Sequence, residues 1–224
     1  MTTPAADPEQ SDGDPTVVHL VRHGEVHNPE KVLYGRLPDF HLSERGRAMA
    51  DLVAAHLADH DVTLVVSSPL ERAQETAAPI AAEHGLAVAL DDRLLEATNK
   101  LEGRQVAGGE GLFKDPGILR YLANPFTQSW GEPYVQIARR MQGAIESARA
   151  AAEGHEAVLV SHQLPIWTAR LAAEGRRLWH DPRRRECNLA SVTSFTYAGD
   201  RLLDVEYAEP AVSLYAGSTG GVGA

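Results

Sequence analysis

Val17-Val18-His19-Leu20-Val21 is a near-continuous apolar run that gives way at once to Arg22-His23-Gly24-Glu25. A β-branched segment this short, without polar alternation, reads as a strand buried on both faces, as in a parallel sheet. Runs at 62–66 and 157–160 have the same character. Working outward, the segments between them carry a helical period. Met49, Leu52, Val53, His56 and Leu57 fall on one stripe, and Ile137, Met141, Ala144, Ile145 and Ala148 repeat it after Pro133. Strands alternating with helices predict an α/β fold, a three-layer sandwich with a mostly parallel central sheet flanked by helices. Near the C-terminus, 191–197 and 202–207 flank Ala198-Gly199-Asp200-Arg201, which predicts a hairpin and so an antiparallel edge.

The run at 62–66 leads into Ser67-Ser68-Pro69-Leu70-Glu71. Ser68 as N-cap, Pro69 at the first helical position and Glu71 three residues after the cap predict a helix start there, with a kink at Pro79. The stretch from Gly103 to Glu132 is rich in Gly and Pro and weakly periodic, so 103–132 reads as an insertion or lid. The expected organisation is a disordered leader at 1–15, one catalytic domain over 16–208, and a flexible tail at 209–224, Gly-rich from Gly217.

Composition narrows the function. The chain of 224 residues carries 31 acidic and 21 basic residues, a formal net charge of −10, which argues against broad nucleic-acid or anionic-membrane binding. An anionic substrate then requires a local cluster of arginines. Cys187 stands alone, so no internal disulfide can form. The N-terminus lacks the basic start and apolar stretch of a signal peptide, and no apolar run reaches the roughly 18 residues of a membrane span. The expected location is the cytoplasm. The expected partner is a small phosphorylated substrate, with no nucleic acid and no membrane; a homodimer is left open.

The three central runs end in chemistry: Arg22 and His23 after the first, the serines and Arg72 after the second, Ser161 and His162 after the third. In a parallel sheet these ends share one edge, where open α/β folds bind ligands. Arginine offers a planar fork of donors for phosphate oxygens, and histidine serves as nucleophile or proton donor near neutral pH. The inferred site is cationic and binds an anion.

Arg22-His23-Gly24-Glu25 resembles the signature of the histidine phosphatase (phosphoglycerate mutase-like) superfamily. Ser67-Ser68-Pro69-Leu70-Glu71-Arg72-Ala73-Gln74-Glu75-Thr76-Ala77 resembles its second block, Arg93-Leu94-Leu95-Glu96 its acid block, and Val160-Ser161-His162 its closing block. The four occur in order across roughly 17–207. The resemblance implies that His23 attacks phosphorus and becomes a phosphohistidine, that Arg22 and Arg72 clamp the phosphoryl oxygens, and that His162 stabilises the same charge. Glu96 would protonate the leaving alcohol. It implies no cofactor and no metal, the arginines and histidines supplying the electrostatics.

Where the family often has Gly after the second histidine, this chain has Gln163, whose backbone N–H can still serve phosphate binding. Asn28 resembles a phosphate-contacting Asn of some relatives, one residue early. Asn99-Lys100-Leu101-Glu102-Gly103 is one residue short of the family pattern and lacks its Gly and aromatic, so Glu102 stays beside Glu96 as an alternative acid. Arg36, in the loop after the first block, is a candidate for the pocket rim. The Trp-Asn pair usual in bisphosphoglycerate-dependent mutases is missing at Val26-His27-Asn28, which favours a histidine acid-type phosphomonoesterase over a mutase. A catalytically idle phospho-ligand binding protein and a metal-dependent hydrolase are the readings from other classes.

Other conspicuous residues have plainer explanations. His19 lies inside the first strand and is expected to be a hydrogen-bonded core residue, and Glu25 to be structural. Ser68 is expected to cap a helix, since no Gly-x-Ser-x-Gly elbow surrounds it. The run Arg183-Arg184-Arg185 is expected to be a solvated loop.

Overall fold

The computed structural model describes residues 14–104 and 131–216. The expected leader and the Gly-rich end from Gly217 lie almost wholly outside these, as does all but the margins of the 103–132 insertion. The described elements, in chain order, are β1 (Thr16–Arg22), α1 (Glu44–Leu57), β2 (Val62–Ser67), α2 (Glu71–Glu83), β3 (Val88–Leu90), α3 (Tyr134–Ala151), β4 (Glu156–Ser161), α4 (Gln163–Ala173), β5 (Val192–Ala198) and β6 (Arg201–Ala208). They form one six-stranded sheet in the order β3-β2-β4-β1-β5-β6. The first four are mutually parallel, while β5 runs antiparallel to β1 and β6 antiparallel to β5.

Alternation along the buried strands builds two cores. Val21, Val65, Val158 and Val160 face α1 and α2, where Met49, Val53, Leu57, Ala77 and Ile80 meet them. Val18, Leu20, Ala157 and Leu159 face α3 and α4, against Ile137, Met141, Ile145 and Ile166. The sheet therefore lies between two helical layers, as its apolar runs imply: a strand covered on both sides has no polar face to show. Each fully buried aliphatic side chain contributes about 1.5–3 kcal/mol relative to exposure.

Three local features depart from expectation. Helix α2 starts at Glu71 with Leu70 as N-cap, two residues later than the Ser68-Pro69 start, and Pro79 lies inside it as expected. Ser68 Oγ reaches the Leu70 N–H at a long 3.4 Å, because it is engaged at 2.9 Å by His162 Nε2 instead. The tail boundary also moves. Ala211 is fully buried against the α1–α2 core, residues 212–214 form a 3₁₀ turn, and the Tyr215 hydroxyl donates to Leu189 O at 3.0 Å. Finally, β3 and α4 were not legible. The first is a three-residue edge, and the second is buried almost all round, so it shows no polar stripe.

Away from the strand ends that carry the chemistry, His19 is the hydrogen-bonded core residue expected. Its Nε2 and the Nδ1 of His60 both reach Glu156 Oε2, at 2.6 and 2.7 Å, and its Nδ1 meets Ser194 Oγ at 2.8 Å. A carboxylate only accepts, so both ring atoms facing it carry the proton.

A candidate active site at the strand ends

The order β2-β4-β1 makes the three chemistry-bearing ends neighbours. The His23 N–H donates to Ser161 O at 3.1 Å and the Ser68 N–H to Val160 O at 2.9 Å, so all three chains leave the sheet in step. The turn after β1 is forced by packing. A Cβ on Gly24 would run into the carbonyl oxygen of Gly46, and one on Gly46 into that of Glu25. The Gly24 N–H donates to Thr76 Oγ1 at 3.1 Å, and that hydroxyl donates to Arg72 O at 2.7 Å. The loop bearing His23 and the helix bearing Arg72 are thereby locked together. Glu25 is structural as expected, with Ser43 Oγ on Oε1 at 2.8 Å and Arg45 near Oε2.

His23 is fully buried, with Nδ1 2.8 Å from Gly24 O and Nε2 without a hydrogen-bond partner. A carbonyl oxygen cannot donate, so Nδ1 carries the proton and the neutral ring keeps its lone pair on Nε2. Burial, then the charges of Arg72 and Arg22, hold its pKa well below the usual imidazole value. His162 lies beside it, ring centroids 5.1 Å apart. It too is held well below the usual value, by burial first and then by Arg72. Its Nδ1 faces Arg72 Nη2 at 3.4 Å and its Nε2 meets Ser68 Oγ at 2.9 Å, so in the neutral ring Nδ1 accepts and Nε2 donates.

Arg22 and Arg72 are both buried with donors to spare. Arg22 gives Nη1 to Cys187 O at 2.8 Å and leaves Nε unpartnered. Arg72 gives Nη2 to Gly35 O at 2.6 Å, lies over the Tyr34 ring, and leaves Nε and Nη1 unpartnered. Buried orphan donors are rare in folded proteins. The charges of both arginines act on His23, whose Nε2 is equally unpartnered, and a tetrahedral anion would satisfy such a set.

Glu96 joins this set. Ser161 Oγ donates to Leu94 O at 2.7 Å and Arg36 Nε to Glu96 O, the first tying the segment before Glu96 to the end of β4. The Glu96 carboxyl is buried, with Oε1 on the Ala97 N–H at 2.8 Å and Oε2 unpartnered. Burial raises its pKa above the usual carboxylate value, although Arg72, Arg185 and Arg22 pull the other way. Glu102 is different. It is only partly buried and accepts the Asn99 N–H at 3.2 Å within its own turn.

The remaining candidates divide. The Gln163 side chain reaches Cys187 O at 3.2 Å and Arg185 Nη1 at 3.4 Å, while its main chain opens α4 right after His162. Arg36 is at the rim, spent on Glu96 O and on Glu132 at 3.3 Å. Asn28 is not brought into the site. Its amide closes a local loop, Nδ2 donating to Val32 O at 2.8 Å and Oδ1 accepting the Val32 N–H at 3.0 Å, which turns the side chain to its own loop. Arg185 was missed. The 3₁₀ turn Pro182–Arg184 leaves Arg183 outside on Asp181 but turns Arg185 inward, to line a cavity of about 190 Å³ together with Glu96. Three consecutive arginines give no signal as to which one is turned in. Tyr34, buried over Arg72 and 6.5 Å from His23, was likewise unsignalled. No helix among the described residues is long and apolar enough to cross a membrane.

Comparison with known proteins agrees with this geometry. An uncharacterized protein of Mycobacterium tuberculosis is 62% identical over 196 residues, covering 88% of this chain and 97% of that protein. Phosphoserine phosphatase 1 of Hydrogenobacter thermophilus is 30% identical over 166 residues, covering 71% of this chain and 78% of the relative. The mycobacterial glucosyl-3-phosphoglycerate phosphatase, in its structure with inorganic phosphate, is 27% identical with a TM-score of 0.68, covering 88% of this chain and 99% of that one. The family model of the histidine phosphatase superfamily (branch 1) matches residues 18–208, and the chain belongs to that superfamily.

Proposed function

We propose that the protein is a metal-independent phosphomonoesterase acting on a small phosphorylated metabolite through a phosphohistidine on His23. The observation that carries this is the unpartnered Nε2 of a buried, neutral His23 among the unpartnered donors of Arg22 and Arg72. Nε2 attacks phosphorus as the ester P–O bond breaks. Arg22, Arg72 and His162 offset the charge on the phosphoryl oxygens, in a dry site where such contacts count most. Glu96, its pKa raised by burial, gives its proton to the departing alcohol oxygen, and its carboxylate then takes one from the water that attacks the phosphohistidine. Inorganic phosphate and the free imidazole are regenerated.

The phosphatases among the similar proteins support hydrolysis. Purified protein assayed against phosphorylated metabolites, with phosphoglycerate mutase activity measured alongside, tests the reading. Labelled substrate followed by alkaline denaturation, which spares phosphohistidine, should leave label on wild type and none on His23→Ala. Equal label on both would remove His23 from the mechanism, and mutase turnover exceeding hydrolysis would reassign the reaction.

A further inference from the structure

Away from the strand ends that carry the chemistry, two imidazoles and a carboxylate converge on one point. His19 Nε2 and His60 Nδ1 lie 2.6 and 2.7 Å from the same oxygen, Glu156 Oε2, and the three atoms are all within 4.8 Å of one another. They come from distant segments: His19 from the middle of β1, Glu156 from the first residue of β4, and His60 from the turn between α1 and β2. Main-chain bonds hold those segments in register. Val17 of β1 stands opposite Glu156, and the Glu156 N–H donates to Asp61 O at 3.0 Å. His19 is buried, Glu156 and His60 are partly exposed, and the exposed His56 ring stands beside His60 at 6.0 Å between centroids.

Two features favour a cation at this point. A carboxylate offers two oxygens and about four lone-pair sites, yet both rings aim at one oxygen, so the ligand atoms gather instead of spreading. The far nitrogen of His19, Nδ1, also has its partner in place: Ser194 Oγ at 2.8 Å, on the residue directly opposite in β5. A histidine ligated through Nε2 carries its proton on Nδ1 and needs an acceptor there. A hydroxyl both donates and accepts, so the same contact serves the metal-free and the ligated tautomer. Tetrahedral bonds of about 2.0–2.2 Å set ligand atoms roughly 3.3 Å apart, so side-chain shifts of under about 1 Å open the space. Two imidazoles with one carboxylate are a donor set for Zn²⁺ and its neighbours, not for Mg²⁺ or Ca²⁺, which take oxygen. We propose that His19, His60 and Glu156 bind a divalent transition-metal ion of the Zn²⁺ class, which clamps β1 and β4 to the turn after α1. The ion takes no part in the reaction. His19 precedes His23 by four residues, about 13 Å of strand, and Glu156 opens the strand whose other end leads to His162.

The test uses untagged full-length protein, stripped with EDTA and desalted. Calorimetric titration with ZnCl₂ should show a single ion bound per chain, and MgCl₂ should show none. ZnCl₂ at about 100 times its dissociation constant should raise the melting temperature by roughly 5–10 °C. CoCl₂ should give the strong visible absorption of a four-coordinate ion, water completing the three protein ligands. His60→Ala and Glu156→Gln should each weaken Zn²⁺ binding by at least about 10-fold, since loss of an outer partner alone costs that much. His41→Ala and His155→Ala, on exposed histidine–carboxylate pairs that offer two ligands each, should bind as wild type does. No Zn²⁺ binding, or undiminished affinity in His60→Ala and Glu156→Gln, leaves the cluster a hydrogen-bonded triad and overturns the proposal. Affinity lost in the His41 or His155 variant instead also overturns it. Should a metal-free variant fail to fold in melting curves, the cobalt spectrum of wild type decides, weakly absorbing six-coordinate cobalt counting against the site.

Discussion

Replacing Glu96 by Gln should separate catalysis from stability. The substitution keeps the side-chain volume and an oxygen for the Ala97 N–H, and it removes only the titratable oxygen that has no partner. A positioned general acid is worth about 10²- to 10⁴-fold, or roughly 3–5 kcal/mol at 1.36 kcal/mol per tenfold. Glu96→Gln should therefore lower kcat/KM by that factor on alkyl phosphates, whose leaving group needs a proton. On p-nitrophenyl phosphate the loss should be much smaller. Stability should move the other way. The folded-state pKa of Glu96 lies above its unfolded value, so as pH rises past that unfolded value the unfolded chain loses its proton first. Wild type is then destabilised relative to Glu96→Gln, increasingly up to the folded pKa and constantly beyond it. Melting curves at pH 4 and pH 8 should show the variant level with wild type at the first and at least as stable at the second. Equal losses on both ester types, or a variant that melts well below wild type at pH 8, would refute the assignment. The same leaving-group dependence at Glu102→Gln, absent at Glu96→Gln, would exchange the two roles.

At pH 6.5, ¹⁵N histidine spectra should show His23 neutral with its proton on Nδ1 and His162 neutral, while exposed His41, whose pKa is raised by its hydrogen bond to Glu75, is charged. A His23 that titrates at or above 6.5 contradicts the buried geometry. Activity should survive a strong chelator and be inhibited by vanadate, which mimics the pentacoordinate phosphoryl centre; loss in EDTA with rescue by a divalent ion would mean a metal-dependent reaction. Gly24→Ala forces a methyl into the Gly46 carbonyl and should cost about 1–3 kcal/mol, lowering the melting temperature by roughly 2–12 °C. Gly143→Ala, in α3 with only Arg93 Nη1 near at 3.5 Å, should instead stabilise the fold by up to about 1 kcal/mol of helix propensity; equal effects of the two would discount the close approach at Gly24.

Much of the fold was legible because burial writes itself into short sequences. A strand covered on both faces must be apolar throughout, so 17–21, 62–66 and 157–160 stood out, and the stripes of α1 and α3 followed from helical period. The residues that follow those runs, Arg22, His23, Arg72 and His162, were legible for the same reason: a parallel sheet brings its strand ends to one edge whatever the loops do. Tertiary structure decided what depends on a partner distant in the chain. Ser68 had a local explanation as a cap until His162 claimed its hydroxyl. Asn28 had the right type near the right place, yet Val32 holds both ends of its amide. Glu96 and Glu102 could not be ranked from composition, since only packing leaves one carboxyl buried and the other in a surface turn. Arg185 was one of three identical neighbours, and which of them faces inward is set by the phase of a single 3₁₀ turn. Local pattern reports the burial of a segment, whereas the charge state and partners of one side chain are properties of the space around it.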